Sequence, residues 1–358
     1  METRCLTILS QTLSAHVSLG KTRLETLCLL VAGIISTRTV NLSHIAAERP
    51  GRASVASTYR RLQRFFQHVR LDDDWVVPLI VALIGSRPPW VLCLDRTNWK
   101  IGQRDVNFLV LAIATRRFRV PLMWTVLGHG GNSDTAERIA LMKRYLALFP
   151  NDSIRILLAD REFEGLEWMG FLAAQGIPFA IRLKEKRIVE LPCGKRLALG
   201  SLFGKIRPSQ SIRARLPGRD GHPALELHFT AKRIKRGELL IIASTQPGLG
   251  PLKLYRKRWA IECLFGDAKT RGLNLEDTRL TIASKLHLLM GIVALAVAWT
   301  CRTATDVMGR RTPPRKKHGY YAKSWFRVGF DELRRRMRTD PHHATDPLVK
   351  ALKSRRVV

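Results

Sequence analysis

The sequence predicts a mixed α/β fold in which a strand-and-helix core is interrupted by a β-rich insertion. A helical N-terminal domain precedes the core and a basic helical C-terminal region follows it. Three observations predict this. Apolar spacing near 3.6 residues dominates positions 1–88 and returns from 252 to about 300. Short apolar runs of strand length begin only after Pro88-Pro89. Between 185 and 250 the regular alternation of strand and helix breaks down into basic, Pro- and Gly-punctuated segments. The expected divisions are 1–88, a core over 89–184, the insertion over 185–250, the rest of the core over 251–300, and 301–358.

Within the N-terminal part, residues 42–47 read as a short helix. Pro50-Gly51 breaks it, and residues 54–66 form a second helix. That second helix sets Ser57, Arg60, Arg61 and Arg64 at helical spacing, with Leu62, Phe65 and Phe66 toward a core. A helix-turn-helix has this pattern, and so does any basic amphipathic helix.

Past Pro89, Trp90-Val91-Leu92-Cys93-Leu94 reads as a buried strand ending at Asp95. Residues 106–115 and 120–127 form a hairpin across Arg116-Arg117-Phe118-Arg119. Asp134 and Glu137 make a capping box for a helix of about 14 residues, closed by Pro150-Asn151-Asp152. A strand over 154–159 then runs into Asp160, followed by a helix (166–175), Gly176 and a strand (179–183). The insertion holds strand-like runs at 225–230 and 239–244.

Composition limits the partners. Against 29 acids stand 61 Lys and Arg, a formal net charge of +32, which fits a polyanion because each neutralised phosphate releases counterions. Apolar residues at 46% exclude global disorder. The six cysteines are scattered, with no Cys-x-x-Cys pair, so neither a zinc site nor a disulfide framework is expected and the thiols read as reduced. Adjacent His342 and His343 read as a solvated loop. Neither a signal peptide nor a membrane span is expected, since the apolar runs 27–35 and 288–300 fall short of about 20 residues. The expected location is the cytoplasm, in association with the nucleoid. In residues 302–358, 16 Lys and Arg face 5 acids, a net of +11.

The chemistry-bearing residues fall in three places. Tyr255, Arg258, Glu262 and Lys269 are spaced by three, four and seven, which at 100° per residue puts them on one narrow helical stripe. Leu254, Ile261, Leu264, Phe265 and Ala268 form the apolar arc beside it. An i,i+4 ion pair on a surface face would have the Arg258–Glu262 spacing too. Asp95 and Asp160 each follow a buried apolar run, and a lone carboxylate there usually starts a turn or caps a helix. Two in one sheet are more specific, because ligands gather at strand ends of open α/β sheets. Two strand-end carboxylates and one from a later helix can converge on hard divalent cations bound to phosphate. Glu162 lies two residues past Asp160, and Asp267 turns away from the stripe and reads as solvated.

These residues resemble the DDE transposases of bacterial insertion sequences, of the insertion-sequence-four family. That family is marked by Tyr-x2-Arg-x3-Glu-x6-Lys, matched here by Tyr255, Arg258, Glu262 and Lys269. Asp95-Arg-Thr-Asn-Trp and Asp160-Arg-Glu-Phe resemble its two aspartate regions, and the similarity continues through Ser324-Trp-Phe-Arg-Val-Gly-Phe-Asp331. The resemblance implies a ribonuclease H-like core with a β insertion in the 102-residue interval between Asp160 and Glu262. It implies that Asp95, Asp160 and Glu262 bind two Mg2+ ions (replaceable by Mn2+), and that Tyr255, Arg258 and Lys269 hold phosphates of the element's end. Arg60 and Arg64 are further DNA-contact candidates. The implied activity is cleavage at element ends and joining of the 3′ ends to target DNA by a homodimer. Two alternatives stand beside it: a ribonuclease H-like nuclease that does not join strands, and a non-catalytic DNA-binding derivative. Relatives use an insertion tryptophan to support a flipped base, but 185–250 contains none.

Overall fold

The computed structural model describes residues 3–115, 117–205, 209–234, 237–317 and 319–353. Arg116 of the expected hairpin link and the last five residues of the basic C-terminal region lie outside them.

Five helices come first: α1 (Thr3–Leu13), α2 (Lys21–Thr37), α3 (Leu42–Ala47), α4 (Val55–His68) and α5 (Val77–Ile84). Asn41 caps α3 by accepting from the Ser43 N–H at 3.1 Å, and Ser54 caps α4 by accepting from the Ser57 N–H at 3.2 Å. On α4, Thr58, Leu62, Phe65 and Phe66 are buried while Ser57, Arg60 and Arg64 face solvent. Arg61 turns inward instead, donating to Thr26 Oγ1 and the Thr22 carbonyl, both at 2.7 Å, and so pins α4 to α2.

The core follows: β1 (Trp90–Ile101), β2 (Arg104–Ala114), β3 (Arg119–Leu127), α6 (Thr135–Leu148), β4 (Ile154–Ala159), α7 (Leu166–Ala174) and β5 (Phe179–Leu183). The expected capping box is present: Asp134 accepts from the Glu137 N–H at 2.7 Å, and Glu137 accepts from the Asp134 N–H at 2.8 Å. The insertion contributes β6 (Ile188–Glu190), β7 (Arg196–Ala198), α8 (Leu199–Phe203), β8 (Ser209–Leu216), β9 (Leu225–Arg233) and β10 (Leu239–Ser244). Next come α9 (Gly250–Tyr255), α10 (Trp259–Ala268), α11 (Ala283–Met308), α12 (Trp325–Thr339) and α13 (Pro341–Lys353).

All ten strands among the described residues belong to one sheet, ordered β3-β2-β1-β4-β5-β10-β9-β8-β6-β7. The β1–β4 and β4–β5 pairs are parallel and the other pairs antiparallel. The insertion therefore extends the core sheet, because β10 returns to pair antiparallel with β5. Strand β2 is buried from Val106 to Ala114, which is why that stretch, Asn107 apart, reads as an apolar run.

Helix α11 is the centre of the helical layer. It packs against β3, α2, α5, α12 and α13, and α1 packs on α13. The N-terminal and C-terminal segments thus share one core. This helix is long and apolar enough to cross a membrane, but 83% of its most apolar stretch is buried in the protein. It also runs eight residues past the expected limit of 300. His342 and His343, expected in a loop, are exposed residues of the first turn of α13, which Pro341 opens.

Candidate active site

Strands β1 and β4 run parallel with Leu94 opposite Ala159, so Asp95 and Asp160 occupy the next register positions. Asp95 does not end its strand, as the run of apolar residues suggested. Strand β1 continues to Ile101 because β2 still pairs with it, and only the neighbour on the other side stops at Ala159. That one-sided end leaves room beside the Asp95 carboxylate.

Asp160 caps the short 3-10 turn Arg161–Phe163, accepting from the Arg161 N–H at 2.7 Å. Asp95 accepts from the Arg96 N–H at 2.8 Å. Burial pushes the Asp95 carboxyl up to about 6. The Arg96 N–H and the Arg258 guanidinium pull it back, while the charges of Asp160 and Glu162 push it further.

The stripe from Tyr255 to Lys269, expected as one helix, is interrupted. A 3-10 turn, Arg256–Arg258, separates α9 from α10, and the Cys93 thiol donates to the Lys257 carbonyl at 3.8 Å, holding that turn against β1. Arg258, the last residue of that turn, lies among the carboxylates. Its guanidinium lies 3.4 Å from Asp95 Oδ2 and also pairs with Glu262 Oε1. Its side chain is only 13% exposed. The surface reading of this i,i+4 pair therefore fails, since one cation joins a carboxylate from the sheet to one from the helix.

Tyr255 is buried, its hydroxyl has no partner among the described residues, and burial raises its phenol so that it stays protonated. Lys269 reaches the far end of β1, donating to the Asn98 carbonyl at 3.0 Å and pairing with Glu276 at 2.9 Å. It does not touch the three carboxylates. Arg60 and Arg64 stand apart on α4, where Arg64 lines a cleft with Gln63, Gln67, Arg279 and Lys285.

The sequence profile of the transposase DDE domain matches residues 86–299, more than half of the 358-residue chain. The chain belongs to the DDE-domain transposases. No curated protein matches it.

In this transposase, sequence reading had set Glu162 aside, and the structure gives it a definite job. Arg96 donates to both Glu162 oxygens, at 2.5 and 3.1 Å, and to Asn107 Oδ1 at 3.0 Å and Asn132 Oδ1 at 3.2 Å. Asn107 in turn donates to the carbonyls of His129 and Gly131, both at 3.0 Å. The network ties the residue after Asp95 to the turn that follows Asp160. A cation directly after one aspartate and a carboxylate two places after the other was the only signal for it. Trp259, 63% exposed at the first position of α10, was also missed.

Among the described residues, no group of three or more His, Cys, Asp or Glu side chains is gathered closely enough to hold a metal ion. The donor chemistry nevertheless suits a hard divalent cation: carboxylate oxygens, one of them desolvated enough to favour a nearby positive charge. Arg258 supplies that charge.

Asp267, expected in solvent, is buried at 8% exposure. The loop after α10 folds back over it, with Arg119 and Arg271 as the nearest cations. Burial raises its carboxyl to about 6, against 3.8 for the free group. Ionisation of this group thus opposes folding: its own contribution is most favourable while it is protonated, below about pH 4, and is lost as pH rises through about 6. Asp267→Asn is expected to raise stability at pH 7 by about 1–3 kcal/mol, with the gain vanishing near pH 4. Urea melts across that range check this, and an Asn variant less stable at pH 7 would contradict it.

Proposed function

We propose that this chain is a transposase of the insertion-sequence-four kind, which cleaves DNA at the ends of its element and joins the 3′ ends to target DNA. The observation that carries the reading is Arg258 held between Asp95 and Glu262, beside the register position of Asp160. In this reading the β3-β2-β1-β4-β5 part of the sheet is a ribonuclease H-like core, and 185–250 is an insertion that widens it.

Asp95, Asp160 and Glu262 are the residues that would hold two Mg2+ ions, or Mn2+ in their place. Divalent ions bound there supply an activated hydroxyl and a Lewis acid for the leaving oxygen. The chain's own groups then bind and orient the DNA. Arg258 is placed to meet a non-bridging phosphate oxygen, and a guanidinium suits that contact because its donors form a planar fork. Tyr255, protonated, offers a hydroxyl donor, and Lys269 a point charge further along β1. Trp259 presents a face on which a base can stack. Arg60 and Arg64 contact phosphates through α4, in a helical DNA-binding segment over 1–88.

One chain offers one such set of carboxylates, and joining two ends at one target needs two sets. The active species is therefore a homodimer bridging both ends, working in the cytoplasm on the nucleoid.

The test is purified protein with MgCl2 and DNA carrying one or both element ends. Cleavage that rises only with both ends, and strand-joined product, are expected. Efficient cutting of a lone end without joining would favour the nuclease alternative. Binding with no cutting would favour the non-catalytic one.

A further inference from the structure

Between α11 and α12, residues 309–323 contain six Lys and Arg and no acid. Arg310, Arg311, Arg315, Lys316 and Lys317 are all exposed, and none has an acidic partner among the described residues. Lys323 differs, pairing with Asp331 at 2.9 Å. A basic connection of this kind is ordinarily a solvated coil. This one is a bonded hairpin.

Arg315 and Tyr321 form an antiparallel bridge. The Lys316 N–H donates to the Tyr320 carbonyl at 2.8 Å, the Gly319 N–H to the Lys316 carbonyl at 2.8 Å, and the Ala322 N–H to the Pro314 carbonyl at 2.7 Å. Gly319 turns the chain at φ 84°, a conformation that favours glycine. Pro313 is buried and anchors the entering arm. The hairpin holds two aromatic rings outward, Tyr320 at 76% and Tyr321 at 45% exposure, with the Arg315 guanidinium 5.2 Å from the Tyr321 ring centre. Preordered cations interleaved with exposed aromatics suit a nucleic-acid backbone: the cations meet phosphates, and the rings meet sugars and bases.

Its position separates it from the carboxylates. The guanidinium of Arg117, in the turn between β2 and β3, lies 5.3 Å from the centre of the Trp325 ring, at the start of α12. With Ile113 opposite Leu92, and Trp90 opposite Ile154, that turn sits where β1 and β4 begin. Asp95 and Asp160 lie where the β1–β4 pairing runs out.

We propose that this hairpin is a second DNA-binding surface, which grips the backbone of duplex DNA at the opposite end of the sheet from the carboxylates. It rests on the reading of DNA as substrate and adds a place for DNA that is not being cut at the same site: the flank of the element or a separate duplex.

The test uses the full chain, a long fluorescent duplex of arbitrary sequence and a KCl series. Arg315→Gln/Lys316→Gln/Lys317→Gln should melt like the wild type and flatten the slope of log affinity against log salt by about 2–3. Tyr320→Ala, at a side chain too exposed to unfold the protein, should weaken binding about tenfold and leave the slope nearly unchanged. Single-turnover cleavage of DNA carrying both element ends, at saturation, should be unaffected in both. A steep wild-type slope kept by the triple variant, together with wild-type affinity in Tyr320→Ala, overturns the hairpin proposal alone. A flat wild-type slope overturns the DNA reading itself. Cleavage at saturation that falls with binding would place the hairpin in the catalytic surface and overturn its separateness.

Discussion

Asp95→Asn, Asp160→Asn and Glu262→Gln are each expected to lower metal-dependent DNA cleavage by roughly a thousandfold or more, equivalent to about 4 kcal/mol of barrier. An amide keeps the shape of the side chain but offers a hard cation no negative charge. DNA affinity should change only a few-fold, since none of the three supplies a cation to a phosphate. Glu162→Gln is the informative control. Its carboxylate is occupied by Arg96, so its loss should act through the placement of Asp95 and Asp160 and cost about 10–100-fold, the usual effect of a supporting group around a metal site. Rates measured on one preformed DNA complex check all four. A fully active Glu262→Gln beside an inactive Glu162→Gln would move the third ligand from α10 to the turn after β4.

Gly329→Ala is expected to be the most damaging small substitution in the fold. Helix α12 crosses α11 so closely that a Cβ on Gly329 would stand 2.0 Å from the Thr300 carbonyl oxygen and 2.8 Å from the Ala304 nitrogen. Both are backbone atoms of a buried helix, so the two helices must separate. Overpacking of this kind costs about 3 kcal/mol or more. Gly170→Ala in α7 is the counterpart, with nothing within 4 Å of the added carbon, and should stabilise by up to about 1 kcal/mol through helix propensity. Thermal midpoints that moved together in the two variants would contradict the packing argument. Gly329 also sits in the 324–331 segment that resembles the insertion-sequence-four family, and here its identity follows from helix packing.

Much of the core was readable because its signals are local. Strand β4 coincides with its apolar run, and α6 begins at its capping box and ends before Pro150. What failed depended on partners distant in sequence. Asp95 looked like a strand end because the run of apolar residues stops there, yet β2 keeps the strand going. The helix from 255 looked continuous because three successive cations carry no breaker residue, and the 3-10 turn they form is seen only where it meets β1. Asp267 looked solvated because a helical wheel cannot include the loop that returns over it. The stripe's membership was legible, whereas its outcome was not: Arg258 meets both Asp95 and Glu262, but Lys269 goes to Asn98 and Glu276.

Helix α11 also sets an order of events during synthesis. Helices α2 and α5 bury much of their apolar surface against it, and α1 waits for α13, later still. The opening eighty-odd residues are translated long before residues 283–308 exist to cover them. Contacts so remote in sequence form late and slowly. Apolar faces such as 27–35 therefore stay uncovered while the central strands emerge, and in this interval the chain aggregates most readily. A gene truncated before residue 283 would not yield a small DNA-binding module. It would yield a chain whose N-terminal helices lack the surface they fold against.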